Sequence, residues 1–199
     1  AVNTVFLYTR LMSEQYYGLV GVILSTGALL MPLMAMGVPN TLVRYFSKYE
    51  GEGEALQRFL SLMILLPLLA VVPLGLFSYL ANGAIEAFLS RQNPIVSGYV
   101  WHIFTIGMAL AYFELFFAWS KVRLRTATGT FMKEVFVRLG VLALLLCLAF
   151  DLLDVSGFLD LLVVLYLLRM LFMALYALRL QPVRLQVPRL PAGGEILTY

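Results

Sequence analysis

Apolar stretches long enough to cross a bilayer run end to end through almost the whole sequence, parted only by short charged loops. A spanning helix takes about 20 predominantly apolar residues, and inside lipid the backbone must satisfy its own hydrogen bonds. The pattern therefore confines this chain to an all-α integral membrane protein. Composition agrees, with 62% of residues hydrophobic and 13% charged and a mean hydropathy of +0.91, outside the balance of a domain that must clothe itself in polar groups. The formal charge of +3 is compatible with an anionic partner, but excess Lys and Arg in cytoplasmic loops is its ordinary source in a membrane protein. Cys147 is the only cysteine and sits in an apolar run, so no intramolecular disulfide is expected and the thiol reads as buried. The single His102 and the absence of any cluster with ligand spacing predict no metal site and no cofactor.

The opening stretch AVNTVFLYT is about half a span, so the first helix reads as truncated. A second span is expected from about Tyr17 to Phe46, kinked by Pro32, Gly37 and Pro39. Phe59 to Leu80, Gly98 to Trp119 and Phe158 to Leu178 follow as further spans by length and lack of charge, and Val135 to Phe150 as a short one that can extend towards Lys133. The sum is six membrane segments, the first incomplete. Pro67 and Pro73 remove backbone donors inside a span, which predicts that neighbouring helices satisfy the freed carbonyls. The segment 181–199, with its prolines and glycines, reads as a linker leaving a helical unit of residues 1–180.

Loop charges set an orientation. Arg44, Lys48 and Arg58, then Lys121, Arg123, Arg125, Lys133 and Arg138, then Arg179, Arg184 and Arg189 fall after the second, fourth and sixth segments. The alternate loops hold Arg10 and Arg91 among the acids Glu14, Glu86, Asp151 and Asp154. The positive-inside rule places the first set in the cytoplasm.

A few polar residues interrupt the spans. Glu114 lies seven residues, roughly 10 Å, before Lys121, on a face with Gly107, Ala111 and Ala118, whose small side chains allow close helix approach. It reads either as a tie to Arg138 or Arg169, or as a working carboxylate. Arg169 lies near mid-depth of the sixth segment and shares a face with Tyr166, Met173 and Tyr176. It reads either as the partner of Glu114, or as a cation flanked by rings that can meet phosphate and sugar. Gly37, Asn40, Arg44 and Lys48 line a third stripe. There Arg44 fits interfacial anchoring and Asn40 can satisfy a carbonyl orphaned by Pro39. His102, near the end of its span, reads as an interfacial imidazole with no relay role, while Tyr99, Trp101 and Trp119 fit an aromatic belt. The EGEGE run after Tyr49 reads as a solvated loop.

The stretches YTRLMSEQYYGLVGVIL and LLMPLMAMGVPNTLVRYFSKY carry a resemblance. They are similar to the first two helices of bacterial polysaccharide flippases of the multidrug/oligosaccharidyl-lipid/polysaccharide exporter superfamily, through Arg10, Leu11, Tyr17 and Gly18 at the start of the second helix and Gly37 and Arg44 at its end. The resemblance implies the N-terminal six-helix lobe of a two-lobed transporter of 12 to 14 helices, working by alternating access in the bacterial cytoplasmic membrane, with a second lobe as partner. It implies translocation of a lipid-linked oligosaccharide diphosphate, not catalysis. Arg169, with Arg44 and Arg138 nearer the cytoplasm, would hold phosphate. Tyr166, Tyr176 and Asn40 would meet the sugar, and Glu114 would couple or gate. Other readings are a cation-coupled multidrug exporter of the same superfamily, a membrane-embedded polysaccharide-biosynthesis enzyme, for which the outer loops are short, and a membrane scaffold in which Arg169 and Glu114 are helix glue.

Overall fold

The computed structural model describes residues 13–89 and 98–184, and within these all regular structure is helical. Helix α1 spans Glu14–Ala35, α2 Val38–Tyr49, α3 Gly53–Leu65, α4 Leu68–Leu80, α5 Asn82–Leu89, α6 Val100–Val122, α7 Thr126–Phe131, α8 Val137–Ala149 and α9 Val155–Leu180, with a π-helical turn at Met132–Phe136 joining α7 to α8. Arg10, Leu11, Arg91, Arg189 and the expected truncated first helix lie outside the described residues.

Four helical stretches are long and apolar enough to cross a membrane: Gln15–Tyr49, Gly53–Leu80, Val100–Val122 and Val155–Leu180. The first is broken rather than kinked. Pro39 cannot donate to the Ala35 carbonyl and its ring crowds it, so the chain turns through left-handed Met36 (φ 49°) and Gly37 (φ 70°) before α2 begins. Asn40 does not take the role expected of it among the described residues; the Thr41 hydroxyl donates to the Gly37 carbonyl at 3.2 Å, which already accepts the Asn40 and Thr41 backbone N–H groups. The second stretch breaks at Leu66–Pro67, where Tyr112 of α6 donates to the Ile64 carbonyl at 3.3 Å. A neighbouring helix thus serves the proline break, as bilayer physics demands. The expected short span from Val135 starts earlier, at Thr126, and carries Lys133 on its π turn. Its apolar α-helical part, α8, has 13 residues.

Helix α6 is the axis of the bundle. Its small-residue face does what the spacing predicts. Gly107 meets α1 so closely that a Cβ there would stand 3.2 Å from Leu30 Cβ and 3.3 Å from the Gly27 carbonyl oxygen, while a Cβ on Gly27 would stand 3.1 Å from Ile106 Cγ2. Two apolar clusters lie along this axis. One gathers α2, α3 and the ends of α6 and α9 around Phe46, Leu60, Phe113, Trp119 and Met173. The other gathers α1, α8 and the beginnings of α6 and α9 around Leu19, Ile23, Ile106, Leu145 and Phe158. Leu69, Val72, Leu76 and Phe77 of α4 are exposed, as suits side chains whose solvent is lipid.

The basic end of the bundle is tied by side chains. Arg123, just past α6, pairs with Glu50 at 2.9 Å, donates to Gln181 past the end of α9, and lies 5.1 Å from the Phe46 ring. The EGEGE run, expected to be a solvated loop, is one only in part: Gly53 and Glu54 begin α3, Glu54 pairs with Arg58 at 2.9 Å, and Glu50 is held by Arg123. Residues 181–184 leave the helix and dock on α3, where Gln57 donates to the Pro182 carbonyl at 3.1 Å and accepts from the Arg184 N–H at 2.8 Å.

Candidate functional site

The break between α1 and α2 opens a cavity of about 330 Å³ lined by Met31, Pro32, Ala35, Gly37, Pro39, Asn40, Glu114 and Lys133. Its polar wall is an ion pair: Lys133 Nζ stands 2.5 Å from Glu114 Oε1. Glu114 thus turns inward, its side chain 20% exposed, as the cost of a carboxylate facing lipid requires. Its partner differs from both expected ones. Arg138 is engaged instead by Glu134 at 2.9 Å, one helical turn away on an exposed face. The π turn accounts for this, because it carries Lys133 to α6 while Glu134 and Arg138 stay outside. The start of α2 at the cavity rim adds the partial positive charge of a helix N-terminus.

Arg169 lies behind this wall. It is 5% exposed, and its guanidinium carbon stands 3.6 Å from the centroid of the Phe113 ring and 5.9 Å from that of Tyr166. Phe113 precedes Glu114 on α6, so Arg169 feels the carboxylates of Glu114 and Glu134 electrostatically without pairing with either. Among the described residues no ion pair meets it, and Nε is buried with no hydrogen-bond partner. Lys133, Arg138 and Arg169 against Glu114 and Glu134 leave one positive charge, and both carboxylates are spoken for. The uncompensated charge is that of Arg169, held by ring faces in place of an anion.

Of the residues expected to act together, the structure gathers Asn40, Glu114, Arg169 and Tyr166 around this region. The others are elsewhere. Arg44 is exposed on α2, 5.5 Å from the Tyr45 ring centroid. Arg138 is on the outer face of its helix, and Tyr176 is packed against the cluster at the basic end. Lys133 and Phe113 complete the site. Lys133 is legible in retrospect, because nothing between Thr126 and Phe136 except Gly129 opposes a helix and the lysine therefore belongs to a span, not a loop. Phe113 is implied by the need of a mid-membrane guanidinium for a partner of some kind.

Spanning helices gathered around inward-facing charges make this a multi-pass membrane protein. The chain belongs to the polysaccharide biosynthesis protein family, whose model matches residues 2–189 and which comprises polysaccharide flippases of the exporter superfamily named above. No curated protein and no solved structure matches it. Family members are typically flippases or transporters rather than enzymes, and the chain is accordingly a polysaccharide-related membrane flippase or exporter.

Proposed function

We propose that this protein carries a lipid-linked oligosaccharide diphosphate from the cytoplasmic to the outer leaflet of a bacterial cytoplasmic membrane, by alternating access together with a second lobe of the same full-length chain. A sugar headgroup cannot cross hydrocarbon without substitute hydrogen bonds, and a diphosphate cannot cross without countercharge. The observation that carries the reading is Arg169: a buried guanidinium with no ion pair among the described residues, packed on Phe113 next to Glu114, which lines the cavity with its partner Lys133. An arriving phosphate takes Lys133 from Glu114 and presents itself to Arg169, whose planar fork matches two phosphate oxygens. Glu114, freed of Lys133, is then the gate. Asn40 and Tyr166 face the sugar, and Arg44, Arg138 and the basic loops draw the anion from the cytoplasmic side.

Arg169→Ala is expected to abolish export of the lipid-linked glycan at near-normal protein abundance, with partial recovery in Arg169→Lys because the charge survives and the fork does not. Export at the wild-type rate in Arg169→Ala, or its full recovery when Glu114→Gln is added, would refute the headgroup role and leave Arg169 a mere counterweight to Glu114.

A further inference from the structure

At the end of the bundle opposite the basic loops, the first turns of α6 and α9 border a recess of about 210 Å³ lined by Trp101, His102, Thr105, Asp160 and Val163. It shares no lining residue with the cavity at Glu114 and Lys133. Asp160 stands in the second turn of α9, a helix apolar enough to cross a membrane, yet its side chain is 69% exposed. A carboxylate resting against acyl chains is costly. What covers Asp160 is therefore water, or a ligand with hydrogens to donate.

The polar groups of the recess are held in place. His102 Nε2 stands 2.8 Å from Asp160 Oδ1, and the imidazole is itself mostly covered, with the Tyr99 ring edge-on to it at 4.9 Å between centroids. Oδ1 is thereby engaged, and the lone pairs of Oδ2 are left to accept. Thr105 donates its hydroxyl hydrogen to the Trp101 carbonyl at 2.7 Å, so its oxygen too is left as an acceptor. The Trp101 ring, 43% exposed, is braced edge-on by Phe104, with centroids 5.5 Å apart. An apolar plate beside two acceptors, one of them charged, is the complement of a sugar, which carries C–H groups on the face of its ring and hydroxyl donors on the rim. A metal ion would find too few ligands, since calcium takes about 6–8 oxygens and the side chains of the recess offer one carboxylate and one hydroxyl.

We propose that this recess is a sugar-binding subsite at the outer end of the protein. Trp101 takes the C–H face of one sugar ring, and Asp160 Oδ2 and Thr105 Oγ1 accept from its hydroxyls. His102 is a positioning residue. The neutral Nε2–H ring and imidazolium both donate to Oδ1, so the subsite does not depend on the charge of His102. The volume admits a single ring and not a chain of them. That the ring belongs to a glycan delivered to the outer leaflet rests on the transport reading given above, whereas the affinity of the recess for sugar does not.

The test is tryptophan fluorescence of the full-length protein in lipid nanodiscs, titrated in turn with glucose, galactose, mannose, rhamnose and N-acetylglucosamine. The emission lost in Trp101→Phe is that of Trp101, while Trp119 is fully buried and stays silent. The expected result is a saturable blue shift of the Trp101 emission with at least one of these sugars. Asp160→Asn, which keeps the shape and loses the charged acceptor, is expected to weaken that binding about tenfold. A tryptophan that only anchors the helix at the interface predicts no response to sugar. No saturable shift with any of the sugars, or unchanged affinity in Asp160→Asn, would overturn the proposal. A shift with choline or calcium chloride and with no sugar would give the recess to a cation and overturn it equally. Should Asp160→Asn not accumulate, Thr105→Val removes the other acceptor, and unchanged affinity there counts the same way. If Arg169→Ala exports normally while Trp101 answers to sugar, the headgroup reading fails and the subsite stands. If no sugar moves Trp101 while Arg169→Ala abolishes export, the subsite fails and the headgroup reading stands.

Discussion

Replacing Arg169 with methionine should make this protein more stable and less active at once. Arginine at the centre of a spanning helix costs about 2.5–3.5 kcal/mol on insertion scales. No ion pair among the described residues offsets this. The return comes from the ring of Phe113, 3.6 Å from the guanidinium carbon, and a desolvated cation–π contact contributes about 2 kcal/mol. The residual strain is about 1 kcal/mol before the orphaned Nε is counted, and methionine fills nearly the same volume with a flexible apolar chain that rests well against Phe113 and Tyr166. Arg169→Met is therefore expected to stabilise the fold by about 1 kcal/mol in reversible unfolding from mixed micelles, while glycan export falls to background. Destabilisation by about 2 kcal/mol or more would show that Arg169 is a structural tie, and wild-type export would show that its charge serves no substrate.

The pair Glu114–Lys133 should couple weakly, because the Lys133 side chain is 43% exposed; a cycle of Glu114→Gln and Lys133→Met in the same unfolding assay is expected to return about 0.3–1 kcal/mol, and a coupling near zero would dissolve the pair as an interaction. Gly107→Val drives its side chain into Leu30 and the Gly27 carbonyl and should cost about 2 kcal/mol. Gly21→Ala enters open space and should instead stabilise the helix by about 0.5–1 kcal/mol, so equal effects of the two would contradict the described crossing of α1 and α6. Asp154 caps α9, with the Ser156 hydroxyl and the Gly157 N–H holding its carboxyl below the usual range. A depressed carboxylate lends stability above its unfolded pKa and loses it as pH falls through the lower folded value. Asp154→Ala should accordingly lower the melting temperature at neutral pH, and the gap from wild type should close in acid. A gap that persists unchanged in acid would refute the linkage.

The spans were legible because a run of apolar residues of bilayer length has few other fates. The close face of α6 was legible too, since Gly107, Ala111, Glu114 and Ala118 recur at helical spacing. The severity of the break at Met36–Gly37 was less so, because a proline predicts a missing hydrogen bond and not how far the chain turns. Glu114 was read correctly as inward-facing and wrongly partnered. Sequence spacing gives the face of one helix, whereas the partner depends on the register of another, and Lys133 reached α6 through a π turn that no residue type announces. The pairing of Asp160 with His102 at 2.8 Å was not legible for a different reason: Asp160 falls within a segment read by its hydropathy, and an average over some twenty residues conceals one carboxylate.

The π turn at Met132–Phe136 amounts to one surplus residue in an otherwise α-helical run. Were Glu134, Val135 or Phe136 deleted, the run could close as ordinary α-helix, and everything before the deletion would rotate by about 100° relative to α8. Lys133 would swing off the cavity wall, and Glu114 would face the cavity without its lysine. Every side chain of α8 would keep its seat, and the composition of the chain would hardly alter. Alignment of this ion pair is thus a matter of phase between two halves of a helix, set by a count of residues rather than by their kinds.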